Sequence, residues 1–157
     1  MQRMCLTIAR FALSAWIGAA ALFVVTSIAE QRSTSIGSDV KNVLAALRFP
    51  AYYWFGFVLV GLGLVGGAVG IDRLRQRGRW LAIVSCLWLA LLLMLVDYVA
   101  VYSPLYAIVT DPNGLRDARF QELHRRSEQI NSIDVSLCLI AAIAVCWPEK
   151  QPLTTDH

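Results

Sequence analysis

Charge is scarce in this sequence: Asp, Glu, Lys and Arg make up 16% of its 157 residues, against 57% apolar and aromatic ones. A soluble domain of this length needs a polar shell over its core, and so few charged residues do not build one. Histidine is scarcer still, with only His124 and His157, which argues against a haem held by two histidines within one bundle. The cysteines, Cys5, Cys86, Cys138 and Cys146, form no CxxC pair and no metal-ligand spacing. Three of them lie in apolar stretches, where cysteine serves as a small hydrophobe. The chain also lacks a Ser-His-Asp order, an HExxH, a paired-histidine motif and a phosphate loop, so its motifs indicate no enzyme, metal or cofactor. His124 and Ser127, three apart on one helix, read as packing rather than as a base and its nucleophile.

Apolar residues, by contrast, are gathered into long blocks with short charged stretches between them, and the mean hydropathy is +0.57. That is the pattern of an all-α integral membrane protein with four spans. The net charge of +3 does not point to nucleic acid, because several arginines sit at block ends, where they mark membrane orientation.

The first span is expected over about 11–29, with Trp16, Leu22 and Phe23 inside it and Arg3 and Arg10 before it. A cleaved signal peptide ending at Ser27-Ile28-Ala29 is the alternative, although the apolar stretch exceeds a usual signal core. Val40, Val43, Leu44 and Leu47 then recur at helical spacing among polar residues. They predict a short interfacial amphipathic helix over about 39–48, ended by Pro50. The second span, about 50–71, opens with Tyr52, Tyr53 and Trp54, rings suited to the headgroup level. Gly63 and Gly67, and Gly66 and Gly70, stand four apart in it and invite close helix packing or a contact with a second copy.

Arg73, Arg75, Arg77 and Arg79 crowd the next loop, which is therefore expected on the cytoplasmic side. The third span, about 80–102, carries one charge, Asp97. The stretch 103–127 is expected outside the membrane, with a turn at Asp111-Pro112-Asn113-Gly114. The last apolar run, Ile133 to Trp147, is short for a crossing. A single long helix is therefore expected from near Arg116, with its span over about 128–147 and Pro148 at its end. Four spans with the arginine loop inside put both termini in the cytoplasm, in the cell (inner) membrane, with the lipid bilayer as immediate partner.

An ionisable group within a span costs roughly 2.5 to 3.5 kcal/mol even on lenient insertion scales, which singles out Asp97. Phe120, His124, Ser127 and Asn131 share one helical stripe that Asp134 extends. With Asp97, Tyr52 and Tyr53 they are expected to form one polar cluster in the outer half of the bundle. Such a cluster either fixes the bundle by interhelical hydrogen bonds of roughly 0.6 to 2 kcal/mol each or forms a site. Two functions are open: a non-catalytic bundle that binds a partner membrane protein, lipid or small solute, and a proton- or cation-coupled transporter or channel subunit using Asp97 and His124.

Phe120-Gln121-Glu122-Leu123-His124-Arg125-Arg126-Ser127, followed by Asn131, resembles the F-x-x-L/Y-H-x-x-S-x-x-x-N signature of a four-span membrane family typified by transmembrane protein 205. Phe49-Pro50 with Tyr52 and Tyr53, and Trp16-Ile17-Gly18, are similar to its looser features. Where that family often has a proline near the outer end of the first span, this chain has Val24-Val25-Thr26-Ser27. The resemblance implies four spans and makes Phe120, His124, Ser127 and Asn131 the family-like positions, with no catalytic role for any of them.

Overall fold

A computed structural model describes residues 1–110 and 118–148. The expected turn at Asp111–Gly114 and the polar tail after Pro148 lie outside the described residues. The chain is all-α: α1 spans Gln2–Arg32, α2 Ser38–Gly70, α3 Arg77–Val96, α4 Ser103–Thr110 and α5 Ala118–Cys146, with a π-helical segment Asp97–Tyr102 joining α3 to α4. Four helical stretches are long and apolar enough to cross a membrane: α1, Val40–Gly70 of α2, the run Arg77–Ile108, and α5. At about 1.5 Å per residue they outreach a hydrocarbon core of about 30 Å, so their ends emerge from it.

Neighbouring helices run antiparallel, in a ring of α1, α2, α3 and α5 that closes on itself. Gly66 of α2 meets Cys5 and Ala9 near the start of α1, while Gly56 meets Trp16 a few turns on. At the core lie Leu13, Trp16, Val60, Ile83, Leu87, Cys138 and Val145, each fully buried. Leu22, Val25, Leu62, Val65, Trp88, Leu92, Ile140 and Ile143 point outward and are about half exposed or more. An apolar belt of this extent needs lipid or a partner around it.

Packing explains the glycines. A Cβ on Gly66 would stand 2.6 Å from the Cys5 carbonyl oxygen, and one on Gly70 2.9 Å from the Leu6 backbone nitrogen. Gly63 faces Leu13 of α1 and Gly67 faces Ile83 of α3. All of these contacts lie within the chain, so the glycine face that might meet a second copy is already occupied.

Helix ends are held by bases from other elements. Arg10 Nε donates to the Val145 carbonyl at 3.2 Å, and Arg79 donates to Ala144 and Val145 at 2.7 and 3.0 Å. These cations sit where the C-terminal carbonyls of α5 lack intrahelical donors and the helix dipole is negative. At the opposite end of the bundle Lys41 Nζ donates to the carbonyls of Gln31 and Ser33, at the C-terminal end of α1. Because Arg10 and Arg79 meet at the Ala144 and Val145 carbonyls, the start of α1, the arginine loop and the end of α5 share one end of the bundle.

Two boundaries differ from expectation. Instead of a separate interfacial helix ended by Pro50, residues 38–49 are the first turns of α2, with Pro50 inside it. Proline removes one intrahelical bond, but side-chain contacts anchor the turn just before it. Arg48 pairs with Glu30 and stacks 5.7 Å over Phe23, and Phe49 packs at 5.1 Å on Phe23 and 5.7 Å on Tyr102. The second difference is at the start of 103–127, expected as an extramembrane loop: Ser103–Thr110 continues the third stretch as helix, whereas α5, present by Ala118, agrees with the long helix expected from near Arg116. Pro104 stands just past the π-helical segment within this continuous stretch, where it offers no amide to the turn before it.

Candidate functional site

The π-helical segment begins at Asp97 and turns Asp97, Val101 and Tyr102 inward. A π-turn is wider than an α-turn and shifts the register of the side chains that follow, a device often found at functional sites. Asp97 is 3% exposed. Its Oδ2 accepts hydrogen bonds from Tyr53 Oη at 2.6 Å and Ser127 Oγ at 3.0 Å, joining α2, the π segment and α5. Its Oδ1 is buried without a partner.

One helical turn deeper on α5, Asn131 Oδ1 accepts from Tyr52 Oη at 2.7 Å. Deeper again is Asp134, 1% exposed, with neither carboxyl oxygen hydrogen-bonded. The Trp16 indole lies beside it, but its Nε1 is also without a hydrogen-bond partner. Seven residues separate Ser127 from Asp134, about 10 Å of helix rise. The polar groups therefore form a descending ladder, with Asp97, Tyr53 and Ser127 at the top, Tyr52 and Asn131 in the middle, and Asp134 beside Trp16 at the foot.

Aromatic rings wall this ladder. Tyr52 sits 4.9 Å from Trp16, 4.3 Å from Phe23 and 5.9 Å from Tyr53, centroid to centroid. Tyr53 contacts both Tyr98 and Tyr102 at 5.2 Å. Sequence spacing marks these tyrosines as interface rings, whereas the structure turns Tyr53 into the bundle at 4% exposure.

The expected cluster is thus only partly assembled. Asp97, Tyr52, Tyr53, Ser127, Asn131 and Asp134 converge. Phe120 and His124 do not: they stack on each other at 6.0 Å, and exposed His124 Nε2 stands 3.3 Å from Glu128 Oε1. The stripe is continuous, but its contact with Asp97 begins only at Ser127; one turn earlier His124 is exposed, and half-buried Phe120 stacks on it. Of the orientation arginines, Arg79 is a helix clamp and Arg73 stacks 4.7 Å over Trp80, while Arg75 and Arg77 are exposed.

Sequence reasoning misses Trp16 as a neighbour of Asp134 and Gly56 as the place where Met94 and Trp16 crowd against α2. Neither has a local signal, since each depends on how α1 and α2 are set against each other. Cys138 had one, because it continues the Asn131 and Asp134 stripe by four residues. Among the described residues no three His, Cys, Asp or Glu side chains gather as a metal site, and all four cysteines are free thiols. No family model matches the chain, and no curated protein or solved structure matches it either.

Proposed function

We propose that this is an integral membrane protein that works as a non-catalytic binding bundle, with its binding site in the ladder from Asp97 down to Asp134. The contrast between the two carboxyls carries the reading. Asp97 receives two hydroxyl donors and ties three elements together, as structural glue does. Asp134 is equally buried but has only the neutral Trp16 indole beside it, with no hydroxyl or cation bonded to either oxygen. An unpartnered ionisable group is expensive in the interior, and within a membrane it is by default a functional group.

The short loop bearing Arg73, Arg75, Arg77 and Arg79 supports a cytoplasmic placement for that loop and for both termini, in the cell membrane. The Asp97 end of the ladder then lies toward the outside. Membership of the four-span family typified by transmembrane protein 205 belongs to the same proposal. Of its signature, Ser127 and Asn131 serve the ladder, while Phe120 and His124 lie on the emergent part of α5, where a partner protein would meet them.

The test compares folded yield in detergent. Asp97→Asn is expected to lower the monodisperse fraction, and Asp134→Asn to leave it unchanged or raise it. If Asp134→Asn lowers the yield as much as Asp97→Asn does, Asp134 is structural and the binding reading falls.

A transport reading draws support from the ladder's descent from the emergent end toward mid-bundle. It uses Asp97 and Asp134 rather than Asp97 and His124, because His124 is exposed and paired with Glu128. Vesicle flux unaffected by Asp97→Asn and Asp134→Asn would sink it.

A further inference from the structure

We infer that Asp134 binds one monovalent cation, a proton or a dehydrated alkali ion, at the foot of the polar ladder. The inference rests on the binding reading above and names the occupant of that site.

Charge comes first. The titratable groups facing Asp134 are Tyr52 on α2, Asp97 on the π segment and Cys138 on α5, with Cys86 of α3 beyond Cys138 and the indole of Trp16 from α1. Each of these is neutral or acidic. Among the described residues no lysine, arginine or histidine pairs with Asp134. Along α5, exposed Arg126 pairs with Glu122 and Arg125 is exposed, while Arg10 and Arg79 are spent on the carbonyls of Ala144 and Val145, about three turns beyond Asp134. A positive charge for this carboxylate therefore comes from a ligand.

Size comes second. Trp16 and Cys138 are fully buried around Asp134, and even a methyl group on Gly56 would collide with Met94 and Trp16. This packing excludes an organic cation. Charge number comes third. A divalent ion asks for six to eight oxygens, usually from several carboxylates, and no such cluster forms among the described residues. A proton, or an alkali ion stripped of most of its water, meets all three conditions. The hydroxyls and carbonyl of Tyr53, Ser127, Tyr52 and Asn131 mark a polar way in.

Dicyclohexylcarbodiimide tests this on the full-length protein in detergent. It is apolar enough to enter the bundle, and it reacts with a protonated carboxyl. The acid proton goes to one carbodiimide nitrogen and the carboxylate oxygen bonds to the central carbon. Migration of the acyl group to nitrogen then leaves a stable N-acylurea that mass spectrometry maps. Labelling is followed across pH at constant salt, and at constant pH with sodium or potassium replacing choline.

Labelling is expected at Asp134, and to vanish in Asp134→Asn. If a proton is the occupant, the rate changes by roughly tenfold per pH unit over the titrating range and ignores alkali ions. If an alkali ion is the occupant, adding it at fixed pH slows labelling by about threefold or more. No labelling of Asp134 at any pH, or a rate indifferent to both pH and alkali ions, overturns the inference. In that event a normal folded yield of Asp134→Asn leaves the binding reading standing with another occupant, whereas a collapsed yield removes both.

Discussion

Tyr53 Oη donates to Asp97 Oδ2 at 2.6 Å, joining the middle of α2 to the first residue of the π-helical segment. With Ser127 Oγ on the same oxygen at 3.0 Å, it turns a costly intramembrane carboxyl into a junction of three elements. Tyr53→Phe removes the closer donor and is expected to destabilise the bundle by about 1 to 2 kcal/mol. Ser127→Ala should cost less. Melting in detergent checks both, and in Tyr53→Phe with Asp97→Asn the two losses should fall short of additivity, because they share one bond.

Backbone contact separates the glycines. Gly66→Ala and Gly70→Ala set a methyl against the Cys5 carbonyl and the Leu6 amide, which cannot move without parting α1 from α2. Each is expected to lower the melting temperature sharply. Gly63→Ala meets only the Leu13 side chain, and Gly61→Ala meets nothing within 4 Å, so the first should be milder and the second neutral or slightly stabilising. Equal effects at Gly61 and Gly66 would contradict this packing.

The arginine clamp predicts local fraying rather than global unfolding. Arg79 makes two bonds to the last carbonyls of α5 and Arg10 makes one. Arg79→Met is therefore expected to accelerate hydrogen exchange in the last turn of α5 more than Arg10→Met. Each contact is worth about 0.3 to 2 kcal/mol, and the first turns of α5 should exchange as in the parent.

Pro50 interrupts the hydrogen bonding of a helix that continues through it. Restoring the amide in Pro50→Ala is expected to raise the melting temperature with no loss of helicity by circular dichroism. A lower melting temperature would mean that the proline's own backbone geometry is needed for Phe49 and Arg48 to reach Phe23.

His124 is expected to matter little for stability. Its pairing with Glu128 is exposed, with side chains 48% and 66% accessible, and such pairs contribute about 0 to 1 kcal/mol. His124→Ala should melt within 1 °C or so of the parent, and a large loss would mean that α5 has a partner beyond the chain at that turn.

Hydropathy is a local property that accumulates along the chain, so the four apolar stretches, the all-α class and the long final helix were legible from residue order alone. The stripe from Phe120 to Asp134 was legible for the same reason, because helical periodicity places residues on a face without reference to any neighbour. Which part of that stripe enters the core was not legible. The division after His124 depends on where the ring of helices ends, and that is set by how far α2 and the π segment reach along α5.

Pro50 shows the same limit from the other side. Its intrinsic preference to end a helix is local and led to the expectation of a helix end there, but Phe23, Glu30 and Tyr102 outweigh it through contacts supplied by other helices. The pairing of Tyr53 with Asp97 and the lack of any hydrogen-bond partner for Asp134 arise in the same way. The sequence by itself determined how many apolar helices there are and which residues share a helical face. Only the tertiary structure decided which carboxyl is bonded and which is left over, because hydrogen bonding across helices depends on axial offsets between segments whose apolar surfaces would pack in more than one register.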